Sequence, residues 1–212
     1  MFCQGPDARE TKRQARREAI LQAAHDLFLE KGYEATTLGD VVRRSGGSLA
    51  TLYELFENKP GLLRALVNRR CNQMAERIDD TVSAHLSPRE ALREIAGFMF
   101  DKIVCSESTA LFKAAMAQPG LGPQLYEAGP ATGQAKIAEF LAHKARDGAL
   151  EIDNPLEAAR MFHQMMFGHF HQLLIFGLPV ELTPDEKARH IDRVLTAFFR
   201  IYGKPRLEHD RA

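Results

Sequence analysis

GGSLATLYELFENKPGLL, residues 46–63, decides how this chain is read. Two glycines and a serine open the stretch as a turn would, and Asn58-Lys59-Pro60 stops it again. Between them ATLYELF is only about two helical turns long. Ser48 is placed to cap that helix, its Oγ accepting from a free backbone N–H of the first turn. Leu52, Leu55 and Phe56 make its apolar side. The question is why a helix with Thr51 and Tyr53 on it, and Lys59 beside it, ends so soon.

The preceding residues supply a reason. TTLGDVVRRSGG, residues 36–47, reads as another short helix, with Thr37 and Asp40 spaced as a capping box and Leu38, Val41 and Val42 on its apolar side. Gly39 weakens it by about 1 kcal/mol relative to alanine, unless a close packing contact needs the glycine. Before it, Ile20, Ala23, Ala24, Leu27 and Phe28 recur at helical spacing within a helix predicted from about Arg9 to Lys31, which Gly32 ends. Residues 37–56 have the proportions of a helix-turn-helix. In that motif the second helix meets a major groove about 12 Å wide end-on, so only its first residues reach base edges and further length adds nothing to the reading. A three-helix core that binds nothing would use the same pattern.

Downstream, Asn58 can cap a helix with Pro60 just inside its start. Leu63, Leu66, Val67, Met74, Ile78 and Val82 carry its period to about Ala84, with no linker. Further helices are expected from Ser87-Pro88, over STALFKAAMAQ (108–118), from near Ala131 to Arg146 after a break at Gly129-Pro130, from Asn154-Pro155 to Phe176, and from the Thr183–Glu186 capping box onward. Val and Ile never alternate as in strands. The fold class expected is all-α: an N-terminal three-helix helix-turn-helix domain over 1–60, then a larger helical bundle over 61–205.

Bulk properties exclude several classes. No apolar run approaches the roughly 20 residues of a membrane span. The polar opening MFCQGPDARETKRQARRE is not a secretory signal, so a cytoplasmic location is expected. Cys3, Cys71 and Cys105 are scattered and odd in number, which fits reduced thiols and neither disulfides nor a zinc knuckle. The net charge is zero, but residues 1–70 hold 12 basic and 9 acidic side chains, with Arg9, Lys12, Arg13, Arg16 and Arg17 clustered. A short basic arm of this kind contacts phosphates or simply solvates a helix start. No Gly-x-Ser-x-Gly, phosphate loop, His-Glu-x-x-His or Rossmann glycine pattern occurs, so no enzyme and no cofactor are expected. His163, His169 and His171 lack the i, i+4 spacing of a helical metal pair, so no metal site is expected either.

AILQAAHDLFLEKGYEATTLGDVVRRSGGSLATLYELFENKPGLL, residues 19–63, resembles the DNA-binding domain of the TetR/AcrR family of transcriptional regulators. FGHFHQLLIFG, residues 167–177, resembles the C-terminal domains of the AefR-like branch. The resemblance implies that Thr37, Thr51 and Tyr53 bond phosphates and that Lys59 anchors the DNA backbone. It implies that Ser48, Leu49 and Ala50 present the groove-facing edge, and one of Arg43 and Arg44 is expected to reach it. It also implies a repressor on a palindromic double-stranded DNA operator, released by a small ligand that shifts the helix at 59–84. The alternatives are a helical small-molecule carrier and a constitutive DNA binder without an inducer.

The chain departs from the family pattern at three places. Gly47 stands where many members have Val or Ile, which predicts a looser turn. Leu49 replaces a cation, and Ala50 a Gly or Pro, so neither side chain can hydrogen-bond a base. Specificity is then expected from apolar contact with thymine methyls, an arginine and DNA shape. In the second bundle Phe98, Met99, Ile103, Phe112, Met116, Tyr126, Phe140, Phe167 and Phe170 are candidates to line an apolar ligand site, with Met-rich surfaces adapting to varied ligands. His163 and His169 read either as ligand-orienting groups or as satisfied core histidines. The helix over 154–177 is apolar almost all round, leaving a polar stripe of Glu157, Arg160, Gln164 and His171. Such a helix needs its own core and a partner, and with the last helix it could form a four-helix homodimer interface.

Overall fold

The computed structural model describes residues 8–84, 86–103 and 106–204, the side chains of 103 and 106–108 excepted. Among the described residues the regular structure is helical: α1 Ala8–Lys31, α2 Leu38–Ser45, α3 Leu49–Phe56, α4 Lys59–Ser83, α5 Pro88–Ile103, α6 Ser106–Met116, α7 Leu121–Tyr126, α8 Thr132–Arg146, α9 Pro155–Ile175 and α10 Pro184–Tyr202. The all-α expectation holds. The chain divides into two compact units, Met1–Arg70 with Ser106–Leu125, and Cys71–Cys105 with Tyr126–Ala212.

In the first unit the apolar stripe of α1 is buried at Ile20, Leu21, Ala24, Leu27 and Phe28, together with Val41, Leu52, Phe56, Leu62 and Leu63. Local chemistry sets the short helices. Thr37 and Asp40 close the capping box of α2, and Ser48 Oγ accepts from Thr51 N at 3.2 Å to start α3. Asn58 Oδ1 accepts from Gly61 N at 2.7 Å to start α4. Thr36 is buried and donates from Oγ1 to Gly32 O at 2.8 Å, which fastens the end of α1. Gly39 meets nothing tighter than Thr37 Oγ1 at 3.6 Å from where its Cβ would be, so no packing contact requires it.

The turn between α2 and α3 is made by two glycines at positive φ. Gly46 lies at φ 77°, ψ −178° and Gly47 at φ 83°. The space a Gly47 side chain would fill is taken by the Arg16 guanidinium, whose Cζ would stand 2.6 Å from that Cβ. An arginine from α1 thus occupies the place of the missing side chain.

The second unit is built round α9 and α10. Phe162, Phe167 and Phe198 are fully buried, and Phe162 meets Phe198 edge-on with centroids 5.6 Å apart. α8 packs along α9, and α10 packs on α5. An isolated antiparallel bridge joins Leu150 to Gly203, with Glu151 N donating to Tyr202 O at 2.9 Å. The break expected at Gly129-Pro130 is absent. The chain stays helical there as a π-helical turn, Glu127–Ala131. Proline disrupts an α-helix through its ring and its missing N–H, and the wider π turn accommodates it. Gly129 lies close to α4: a Cβ there would stand 3.0 Å from Cys71 Sγ, a tight contact that glycine avoids.

Candidate nucleic-acid interface

α3 has two sides with opposite exposure. Leu52 and Phe56 are buried, while Ser48, Leu49, Ala50 and Tyr53 face solvent, Leu49 being 44% and Tyr53 51% exposed. An exposed leucine and tyrosine on so short a helix are poor choices for solvent alone. Thr51 is half-buried, and its Oγ1 lies 3.0 Å from Ser48 Oγ, so the two hydroxyls already share one hydrogen bond. Lys59 is half-buried. Its ammonium donates to Glu34 O at 3.0 Å and sits 4.4 Å from the Tyr33 ring centroid.

The α2 candidates are more committed. Thr37 donates both its backbone N–H (3.1 Å) and its hydroxyl (2.9 Å) to Asp40 Oδ2. Those two bonds, with smaller help from Arg43 and Lys31, pull the Asp40 carboxyl down to about 2. Arg44 grips Glu30 with two bonds of 2.6 and 2.8 Å, which holds the Glu30 carboxyl below its ordinary value and the Arg44 guanidinium above it. Arg43 makes one bond of 2.9 Å to Asp40 with its side chain 78% exposed. Sequence reasoning could not separate the two arginines; the structure ties Arg44 to α1 and leaves Arg43 the more extended toward solvent.

Residues 20–66 match the family model for bacterial regulatory proteins of the tetR family, and residues 90–204 match the AefR-like transcriptional repressor C-terminal domain. The chain belongs to the TetR family. It is 25% identical over 171 residues to the uncharacterized HTH-type transcriptional regulator YvkB of Bacillus subtilis, covering 79% of this chain and 88% of that one. Among solved structures it is similar to a TetR-family regulator from Mesorhizobium loti, with a TM-score of 0.81 at 24% identity over 91% of this chain and 98% of that one. The flavonoid-responsive regulator FrrA is 30% identical, with a TM-score of 0.66 over 91% of this chain and 99% of that one.

As a TetR-family protein the chain is a DNA-binding transcriptional regulator and not an enzyme, and the helix-turn-helix of its first unit is the part that binds DNA. No helix among the described residues is long and apolar enough to cross a membrane. No group of three His, Cys, Asp or Glu side chains among them is placed to hold a metal.

The ligand candidates of this TetR-family chain scatter. Met99, Phe140, Phe167 and Phe170 share the second unit's core. Phe98 is half-buried, with the Arg77 guanidinium 5.8 Å from its ring centroid. Phe112 and Met116 lie on α6 in the first unit, 45% and 52% exposed, and Tyr126 is 47% exposed, so these three are not in that core. The Ile103 side chain lies outside the described residues. His163 is 7% exposed, its Nδ1 has no hydrogen-bond partner, and burial, aided by nearby His171, pushes its pKa down to about 4. Its ring neighbours are Phe167 at 5.3 Å and His171 at 5.6 Å, whereas His169 is exposed. Sequence reading paired His163 with His169. A ladder at 163, 167 and 171, four residues per step up one side of a helix, was the signal for the true neighbour. His190, whose Nε2 lies 2.9 Å from Met166 O between the Phe100 and Phe170 rings, carried no comparable signal.

Proposed function

We propose that the chain is a cytoplasmic homodimeric repressor, held on a palindromic operator by two helix-turn-helix heads and released by a small apolar or amphipathic ligand. Residues 1–60 act on DNA, and 61–205 bind ligand and partner. The observation that carries the DNA half is the solvent-facing edge of α3, where Ser48, Leu49 and Ala50 meet base edges. Thr51 and Tyr53 bond phosphates through hydroxyls. Lys59 exchanges its Glu34 carbonyl for a phosphate, Arg43 reaches the groove edge, and Arg44 braces α2. Thr37 joins them only by giving up its Asp40 bonds.

One head neutralises few phosphates and binds weakly and salt-sensitively. Two heads on half-sites about 34–36 Å apart, or a multiple of that, overcome this. Support for pairing comes from apolar side chains exposed on α9 and α10, Leu156, Met161, Ile175 and Ile201. Support for sensing comes from the unpartnered Nδ1 of His163, a buried polar atom beside the Phe167 ring that a ligand hydroxyl or carbonyl can satisfy. The flavonoid-responsive description of FrrA points the same way. Ligand favours one conformation of α4 and so changes the spacing of the heads.

Selecting genomic fragments on the purified protein tests the first half: enrichment of a palindrome is expected, and salt-independent recovery of random fragments would remove it. Leu49→Ala is expected to relax the preference within each half-site. Titrating small aromatic and acyl compounds against the operator complex tests the second half. If none shifts operator affinity, a constitutive binder remains.

A further inference from the structure

We infer that Arg16 is a positioning residue for DNA recognition: from α1 it braces the turn that aims α3. The inference rests on the DNA-binding reading of α3 and adds a residue that lies outside the helix-turn-helix.

Gly46 occupies a φ/ψ region essentially closed to residues with a Cβ, and Gly47 follows at φ 83°. Two such glycines in succession leave a backbone with unusual freedom. Arg16 removes that freedom. Its Nη1 donates to Ser45 O at 2.8 Å, and its Nη2 donates to Gly46 O and reaches Ser45 Oγ at 3.4 Å. Ser45 is the last residue of α2 and Ser48 caps α3, so a grip on 45 and 46 fixes the angle between the two helices. The acceptors are carbonyls at a helix C-terminus, where a guanidinium also complements the helix dipole. The root of the arginine is firm, because Ile20, one turn further along α1, is fully buried.

Gly47 belongs to the same device. A Cβ at that position would collide with the guanidinium, so the glycine is what lets Arg16 lie against the turn. The aim of α3 matters more here than in a head that reads bases with long side chains. Leu49 and Ala50 are short and apolar, and neither can extend to compensate for a small tilt of the backbone. Arg16 is half-buried with its donors on carbonyls, which sets it apart from the exposed basic residues before it on α1.

The test uses the full-length protein, a duplex that wild-type protein selects from genomic fragments, and a scrambled duplex of equal length, each at several salt concentrations. Arg16→Ala is expected to weaken operator binding about tenfold while scrambled-duplex affinity and the salt slope stay at wild-type values. Amide hydrogen exchange over residues 45–52 is expected to quicken. Arg16→Lys restores only part of the affinity, since an ammonium cannot fork across two carbonyls. Gly47→Ala is expected to weaken operator binding less in the Arg16→Ala background than in wild type, because no guanidinium is left to evict. Wild-type operator affinity in Arg16→Ala overturns the inference. So does a joint fall in both affinities with the salt slope lower by about one phosphate, which makes Arg16 a DNA contact. Absence of wild-type binding to any duplex removes the DNA reading instead, and unchanged exchange in Arg16→Ala removes the brace independently.

Discussion

At the start of α3 the hydroxyls of Ser48 and Thr51 are bonded to each other, and the helix offers Leu49 and Tyr53 to solvent. On α9 a histidine is turned inward among aromatic rings with one ring nitrogen lacking a partner. In the first unit the caps of α2 and α3 close on their own helices before any partner arrives, so the start of each short helix is set locally. In the second unit the buried Nδ1 of His163 has no hydrogen-bond partner. Leaving such an atom unpaired costs about 1–3 kcal/mol, which a ligand can recover and use to favour one conformation. A reading surface needs rigidity; the sensing proposed for the second unit needs an energy difference to respond to.

The largest expected effect lies in that core. Phe162→Ala removes a fully buried ring against Phe198, and a loss of about 3–5 kcal/mol is expected in urea unfolding. A loss below about 1 kcal/mol would mean that the second unit is as pliable as a surface. The next effect is a pH dependence. Folded His163 takes its proton only near pH 4, whereas in the unfolded chain it does so near 6.5. The unfolded state therefore binds more protons between those values, and stability falls as pH drops from about 6.5 toward 4, by on the order of 3 kcal/mol, with no contribution from this group above that window. Unfolding curves at pH 7, 5.5 and 4.5 check this, and His163→Gln should make the decline shallower, leaving the part that comes from His171, whose pKa burial also lowers; an undiminished decline in that variant would place the cause in other groups.

On the DNA side, Tyr53→Phe is expected to weaken operator binding by up to about tenfold through one lost phosphate bond. Its melting temperature should not move, since the side chain is half in solvent. A Tyr53→Phe protein that binds as wild type would restrict the contacting edge to residues 48–51. The smallest effect is a gain. Gly39→Ala is expected to stabilise by about 0.5–1 kcal/mol, because α2 makes no contact that needs the glycine. If thermal stability rises while DNA affinity falls, Gly39 serves close approach of the α2 backbone to a phosphate.

The parts legible from sequence were those governed by neighbours in the chain. Thr37 with Asp40, Ser48, Asn58 and Thr183 with Glu186 are caps acting over three residues, and each stands where its spacing placed it. The Gly129-Pro130 break failed because a local rule met a turn that widens to admit proline. The grip of Arg16 on Ser45 spans 29 residues and leaves no trace in periodicity. Hydrophobicity alone could not sort Phe112 and Met116 from Phe140 and Phe167, since an apolar side chain carries no label of the unit that will bury it or leave it bare.

The bridge between Leu150 and Gly203 has a consequence for assembly. It clasps the strand of chain leading into α9 to the far end of α10, while Tyr202 also reaches back to Met161 on α9. The two helices that expose Leu156, Met161 and Ile201 are thus fastened to one another within a single chain. In the pairing proposed above, subunits would dock as ready-made halves, with little ordering entropy to overcome. Exchange of subunits between dimers would then be governed by the strength of the apolar seam, with no refolding step to slow it.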